Sequence, residues 1–565
     1  MPRLRLASSR IRCLLLVFAL LVPSVRARGQ AIQRPGDERP ELPKFEAPRQ
    51  EEPVLPPIPQ PAEPRETPSS GPGVFVKDYR FVGSTVFSDA ELEAVVAPWA
   101  GRVIRSEDLV SVRNAVTELY LKHGYVNSGA TLPDQDFEGG VIEIQIIEGT
   151  LAEIRVTGNR HFRSSYLSQR IWRGATTPLE IGKLSEQVEI LQQDPRIEKI
   201  AARLVPGERR GEAILDIDVE ETSRYGVDLR FSNHEPPSIG ALAGQVEPSL
   251  ENLVGWGDEL RGEFTITDGL ERYRGRYEIP FSRWDTRLLL EARYAESKVT
   301  EDPFDVLDIE SSFQSYEIGL IQPVYRSPQT QLELSVLGDW RQSRTQLLGE
   351  DFSFPGSGAH NGKATASVLR FAVDWLRRDQ NQVFAARAQL SWGIDVLGAT
   401  TNGGGQPDGR FVAGLLQLQW ARRFGSLGIE TIVRGDLQLA NDPLLTLEQF
   451  AVGGYATVRG YRENQRVQDE GAVVSLEVRV PIWRDPRYFG VVELAPFVDY
   501  GHVWNQADRP DKRAKTLASA GIGLRWRLPR FVSAQIYWGQ NFNSVDTSGN
   551  LQDHGVMFLV DCHLP

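Results

Sequence analysis

From Tyr225 to Pro565, apolar and polar residues alternate with a period of two in one segment after another. Leu260, Gly262, Phe264 and Ile266 alternate with Arg261, Glu263, Thr265 and Thr267. Val474, Leu476, Val478 and Val480 alternate with Ser475, Glu477 and Arg479; Ile522, Leu524, Trp526 and Leu528 alternate with Gly521, Gly523, Arg525 and Arg527. Successive side chains of a strand point to opposite faces, so each segment reads as a two-faced strand. Turn residues divide the region into about sixteen such strands. They fall near 225–234, 241–253, 258–268, 271–281, 286–299, 311–325, 330–346 and 366–380, then 382–394, 408–424, 427–440, 471–483, 488–505, 516–529, 532–541 and 554–565. The gaps after even-numbered strands are 1 to 4 residues long, and those after odd-numbered strands are mostly 10 to 30, the first two being short. A soluble sheet with one wet face alternates equally well, but nothing in such a sheet sorts its connections by parity. A bacterial outer-membrane barrel does: short periplasmic turns, long outer loops and an even strand count. Backbone groups within hydrocarbon need internal partners, which makes a closed antiparallel β-barrel the expected all-β solution, with one face toward lipid and one lining a charged lumen.

The pattern changes before the barrel. Gly83, Phe87 and Leu92 recur at the same spacing as Gly158, Phe162 and Leu167, 75 residues later, which marks a tandem repeat over 74–222. Each unit closes on an alternating strand, Ile142–Ile146 in the first and Leu215–Val219 in the second. Two helices precede each closing strand. Ser88 and Glu91 form a capping-box pattern ahead of the first. Leu109, Val112, Val116 and Leu119 follow at helical spacing behind Glu107 and Asp108, and Leu184, Val188 and Leu191 do so in the second unit. The predicted order in each unit is strand, helix, helix, strand, strand.

Composition adds the remaining segments. Arg3, Arg5, Arg10 and Arg12 precede an apolar run from Cys13 to Val22, and Val25-Arg26-Ala27 offers a small-residue cleavage site, so 1–27 reads as a secretory signal too short to span a membrane. Residues 28–73 hold twelve prolines in 46 positions and read as an extended linker. The expected domains are therefore the signal 1–27, the linker 28–73, α+β units at 74–149 and 150–222, and the barrel at 223–565. The net charge of −12 becomes −17 once the five arginines of 1–27 are removed, and an acidic chain without a basic cluster argues against nucleic acid as a partner. Cys13 leaves with the signal, so Cys562 has no intramolecular partner.

Two motifs give the chain a family likeness. In the first unit, Gly124-Tyr125-Val126-Asn127-Ser128 precedes Leu132-Pro133-x-Gln135, and the closing strand runs Ile144-x-Ile146-Ile147-Glu148-Gly149. In the connection 441–470, the longest of the barrel, stands Val458-Arg459-Gly460-Tyr461; the next strand but one carries Phe497-x-Asp499-x-Gly501. With two such units ahead of a barrel, the chain resembles the two-partner secretion transporters, the TpsB-type haemolysin secretion/activation family ShlB/FhaC/HecB, within the wider outer-membrane assembly-factor superfamily. The resemblance implies that both units are POTRA (polypeptide-transport-associated) domains lying in the periplasm. It implies that the loop folds into the lumen and that Arg459 meets Asp499 on the inner wall. It implies partners as well: a secreted exoprotein of haemolysin or adhesin type, outer-membrane lipid, and the barrel assembly machinery during biogenesis. The alternative it leaves is an insertase for other barrels, which usually carries more repeats and lacks the Leu-Pro-x-Gln element. Barrels of this kind usually end on an aromatic residue, whereas this chain ends Cys562-His563-Leu564-Pro565.

The chemistry of the pair is reasonable in its own right. Arginine offers a planar, permanently charged fork that fits a carboxylate, and Gly460 allows a turn that a side chain would obstruct. No catalytic, metal or cofactor motif is evident: the seven histidines lack ligand spacing, and His161 and His234 read as ordinary surface residues. The barrel tryptophans are expected in interfacial girdles.

Overall fold

A computed structural model of the 565-residue chain describes residues 73–135, 139–485, 489–506, 515–528, 531–543 and 549–564. The expected signal segment 1–27, and the linker up to residue 72, lie outside the described residues.

Strand alternation closes into a barrel. Its sixteen wall strands, numbered here in chain order, are Tyr225–Ser232, Ala243–Glu251, Glu259–Ile266, Leu270–Pro280, Arg287–Lys298, Ile309–Arg326, Thr330–Leu347 and Lys363–Arg378, followed by Gln382–Gly393, Val412–Phe424, Ile429–Ala440, Glu470–Asp485, Gly490–Trp504, Thr516–Leu528, Val532–Asn541 and Val556–Leu564. Each pairs antiparallel with its sequence neighbours, and strand 16 closes on strand 1 from Leu559↔Ser232 to Leu564↔Val227. The pleat sorts the side chains: Val474, Leu476, Ile522 and Leu524 are exposed on the outer face, while Ser475 and Glu477 are buried inside. Trp284, Trp375, Trp392, Trp483 and Trp538 are exposed among outward-facing hydrophobic residues.

Boundaries shift by a few residues where turn residues extend a ladder. The sequence reading lacks the two-residue strand Glu350–Asp351 beside strand 7, and the hairpin Phe450–Val452 with Arg466–Gln468 inside the longest loop. It also lacks the small ladder Val74–Val76 with Arg102–Ile104 in the first unit. All are too short for periodicity to declare them.

Each α+β unit covers a three-stranded sheet with two helices. In the first, Asp78–Val82 runs parallel to Val141–Ile147, which pairs antiparallel with Gly129–Thr131, and the helices are Asp89–Val96 and Ser106–Lys122. In the second, Thr150–Thr157 runs parallel to Glu212–Glu221, which pairs antiparallel with Ile197–Pro206, and the helices are Ser164–Ile171 and Ile181–Gln192. The capping box is formed: Ser88 N–H donates to Glu91 Oε2 at 2.9 Å and Glu91 N–H to Ser88 Oγ at 3.4 Å, an arrangement worth about 1 kcal/mol. Leu92, Val112, Val116 and Tyr120 fill one core; Leu167, Leu184, Val188 and Leu191 fill the other.

The repeated glycine has a physical reason. Gly83 and Gly158 both have positive φ (95° and 78°), and a Cβ on either would lie 2.5 Å from a backbone carbonyl, of Ile146 and Val219 respectively. A carboxylate then holds the turn that follows each glycine. Glu148 Oε1 accepts from Thr85 N–H at 2.7 Å and Val86 N–H at 3.1 Å; Glu221 Oε1 accepts from Arg160 N–H at 2.8 Å and Phe162 N–H at 3.0 Å. Burial opposes the charge on Glu221, but the N–H groups of Phe162, His161 and Arg160, with the His161 ring, outweigh it and hold the carboxyl below its ordinary 4.5. His161 is thus a partner of Glu221, with its Nδ1 at 2.9 Å, rather than a plain surface residue.

The second unit docks on the end of the barrel that carries the even-numbered turns. Asp285, at φ 60° in the turn between strands 4 and 5, is 7% exposed. Arg170 Nε donates to it at 2.6 Å, and Arg173 and Arg326 lie at 3.4 and 3.6 Å. Arg163 N–H donates to Gly255 carbonyl at 3.0 Å in the preceding turn, and Gln193 Nε2 to Pro328 carbonyl at 3.1 Å in the next.

Candidate functional site

The connection 441–469 between strands 11 and 12 enters the barrel instead of standing outside it. Its base is tied by Asp469, fully buried, whose Oδ1 accepts from Leu444 N–H at 3.1 Å and Gln449 Nε2 at 2.9 Å. The hairpin Phe450–Val452/Arg466–Gln468 carries the chain inward. Gly453 and Gly454, at φ 113° and 102°, reverse it, with Gly453 N–H donating to Thr457 Oγ1 at 2.8 Å. The tip, residues 458–461, then lies against strands 12 to 15.

Arg459 is 6% exposed, with Asp499 at 1% and Glu477 at 3%. Its Nε donates to Asp499 Oδ2 at 2.8 Å and its Nη2 to Oδ1 at 2.9 Å, a two-pronged pairing; its own backbone N–H reaches Oδ2 at 3.0 Å. Nη1 donates to Glu477 and Nη2 to Ser475 Oγ at 3.2 Å, while Ser475 Oγ donates to Asp499 Oδ1 at 2.6 Å. The guanidinium also lies over Phe497, 3.8 Å from the ring centre, and 4.9 Å from the Tyr537 ring. Charge, fork geometry and aromatic faces are therefore all used at once.

Each other member of the two motifs has a packing role. Val458 is fully buried, and Gly501 makes the room: a Cβ there would collide with Val452 and Val458. Gly460, at φ 90°, lies against Gly539 of strand 15, where a Cβ would stand 2.8 Å from the Gly539 carbonyl oxygen. Tyr461 donates its hydroxyl to Ala518 carbonyl at 2.9 Å and accepts from Asn543 N–H at 3.1 Å. The sequence reading had Arg459, Asp499 and their glycines, but missed Glu477, Ser475, Tyr537 and Gly539. Glu477 and Ser475 stand in an alternating strand whose inward side was legible; only the loop's seating brings them to Arg459. His234 also differs from expectation. Its ring stacks on Tyr455 of the loop, 4.1 Å between centres, and is half-buried.

The first-unit motif lies elsewhere, at the joint between the two units. Gly124, at φ 86°, accepts from Ile181 N–H at 3.0 Å through its carbonyl. Tyr125 packs edge-on to Phe87 and Tyr120. Leu132 lies on the core, and Pro133 carbonyl accepts from Gln135 Nε2 at 3.4 Å. The Gln135 amide also pairs with both backbone groups of Glu143, at 2.8 and 2.7 Å, as a strand residue would.

Comparison with known proteins agrees with this architecture. A family model described as "Haemolysin secretion/activation protein ShlB/FhaC/HecB" matches residues 211–526, and one described as "POTRA domain, ShlB-type" matches 74–149. The outer membrane transporter CdiB of Dickeya dadantii is 22% identical over 482 residues, covering 83% of each chain. The heme/hemopexin transporter protein HuxB of Haemophilus influenzae (strain ATCC 51907 / DSM 11121 / KW20 / Rd) is 24% identical, covering 77% of each. Among solved structures, CdiB from Escherichia coli superposes with a TM-score of 0.67 at 20% identity, covering 91% of this chain and 94% of that one, which shows a common fold.

Proposed function

This chain belongs to the haemolysin secretion/activation protein ShlB/FhaC/HecB family, and from that premise we propose how its parts serve secretion. It is an outer-membrane transporter that secretes an exoprotein through its barrel, with its POTRA domain in the periplasm. The observation that carries the mechanism is the loop 441–469, folded into the lumen with its buried Arg459 paired to Asp499 and Glu477 on the inner wall.

Residues 150–222 act as a second POTRA domain. Support comes from the equivalence of Gly83 with Gly158 and of Glu148 with Glu221, each pair making the same contact in its own unit. The unfolded exoprotein is captured in the periplasm as an added strand along the margin of one of the two α+β sheets. Residues 1–27 serve as the export signal and 28–73 as a spacer. Arg459 and Asp499 seat the loop in the position that receives cargo, and cargo engaging the seated loop then displaces it to open the path. Folding of the exoprotein outside supplies the direction, since no nucleotide-binding motif stands in the sequence.

Deletion of residues 74–222 tests the capture step. A null strain expressing that deletion should assemble a barrel of normal abundance but release no exoprotein to the medium. Secretion at the parental level would remove the periplasmic units from the mechanism.

A further inference from the structure

Loop 441–469 meets the wall a second time, at strands 7 and 8 rather than 12 and 13. Its short 3-10 turn Thr446–Glu448 sets Glu448 against Arg370, whose Nη2 donates to Oε1 at 2.8 Å; Arg341 Nη1 lies 3.6 Å from the same oxygen and donates to Leu447 carbonyl at 3.4 Å. Asp339 joins both arginines, at 2.5 Å from Arg341 Nε and 3.1 Å from Arg370 Nη2. Gln438 of strand 11 donates its amide to the Glu448 carbonyl at 2.9 Å. The four charged side chains are nearly enclosed, from 1% exposed for Asp339 to 11% for Arg341. The loop therefore offers a cation to one wall and an anion to another, and spans the lumen between them.

The turn also stands between two spaces. A charged cavity of about 1010 Å³, lined by residues such as Arg274, Glu291 and Arg387, reaches Leu447, Glu448 and Gln449. A second cavity of about 380 Å³, lined by Phe313, Ser343, Thr345 and Phe354, is bounded by Leu447 and Gln449 as well. Leu447 of the turn and Gln449 just after it face both cavities, so this stretch is the partition.

We propose that Glu448 is a latch that keeps the lumen closed, separate from the Arg459 anchor. Ionised Glu448 is the loop's own anion on the Arg341–Arg370 pair, which also faces Asp339 and Glu317 of the wall. Without its charge the turn loses its charge-assisted hold on a poorly solvated wall, and water competes with the turn for the arginines. The turn then leaves strands 7 and 8 while Arg459 stays seated, and the two cavities join. The latch rests on the transport reading only for its purpose; its closure is read by ions, with no cargo present.

The test uses the full mature chain carrying Cys562→Ser, in planar bilayers in potassium chloride. Glu448→Gln should raise the mean conductance several-fold over the parent. Leu447→Cys should react with a membrane-impermeant maleimide in the Glu448→Gln chain and stay protected without it. The double change Glu448→Arg with Arg370→Glu restores the charge balance and should lower conductance again. Heat-modifiable migration on gels reports folding; should Glu448→Gln fail it, Arg370→Gln, which removes the same contact from the other side, takes its place with the same expectation. Parental conductance in the neutralised chain, with Leu447→Cys unreactive, would overturn the latch, and with normal secretion it would leave the transport reading standing. Latch behaviour as stated, in a chain that releases nothing to the medium, would count against the transport reading alone.

Discussion

Replacing Arg459 by alanine removes the side-chain ion pairs that hold the loop tip to the wall at strands 12 and 13, while Val458 keeps its packing in the cluster with Val473 and Val503. Four hydrogen bonds from the guanidinium disappear, two to Asp499 at 2.8 and 2.9 Å, one to Glu477 and one to Ser475 at 3.2 Å, along with the stacking on Phe497. Two buried carboxylates lose their common cation. Removing one partner of such a pair costs about 3–5 kcal/mol, because the other charge is left buried. Here the lower end applies: Glu477 keeps Arg479 at 2.6 Å, and Asp499 keeps Ser475 at 2.6 Å and a backbone N–H at 3.0 Å. At about 1.4 kcal/mol per decade, a loss of about 3 kcal/mol lowers the ratio of seated to unseated loop on the order of a hundredfold. The wall ladder is untouched, so outer-membrane abundance should stay near normal while exoprotein in the medium falls steeply, both read by immunoblot. Asp499→Ala should behave alike, and the double variant should be little worse than either, since the two act as one unit. Arg459→Lys should fall between, keeping the charge but losing the fork. Normal secretion by Arg459→Ala, or additive losses in the double variant, would refute the reasoning.

Three further expectations follow from the geometry. Epitope tags inserted near Gly356, Gly404 and Gly549 should be reachable by antibody on intact cells, and tags near Ser327 and Asp485 should not; labelling of the second set would invert the barrel. Gly460→Ala should unseat the loop by forcing a Cβ against Gly539, at a cost of about 1–3 kcal/mol, and should cut secretion with barrel abundance unchanged; full activity would remove the glycine contact from the account. Glu221, held below 4.5, contributes stability that is present above that value and lost as pH falls through its lowered folded-state pKa. Hydrogen exchange of residues 160–162, corrected for intrinsic rate, should therefore show protection at pH 7 that fades in acid, and Glu221→Gln should lack it at pH 7; equal protection in the two chains at pH 7 would sink this.

Much of the fold was legible because period-two alternation and loop length are local properties. The repeat was legible too, since Gly83 and Gly158 answer the same steric demand in each unit. At the site, Arg459 and Asp499 stood in recognisable motifs. Glu477 and Gly539 could not be assigned in the same way: alternation says that a residue points inward, but not what reaches it there. Glu448 and Asp285 were harder still. Each meets an arginine on an element distant in sequence, Arg370 and Arg170, and these encounters depend on barrel closure and on docking of the second unit. The loop hairpin 450–452/466–468 is too short to carry a periodic signal.

The central claim is that the barrel moves a protein out of the cell, with assembly of other barrels as the rival reading. Quantitative proteomes of the culture medium and of the outer membrane, with and without this protein, separate the two directly. Loss of one or a few large proteins from the medium, with other outer-membrane barrels at parental levels, is the predicted result. An unchanged medium accompanied by a general fall in outer-membrane barrels would contradict it.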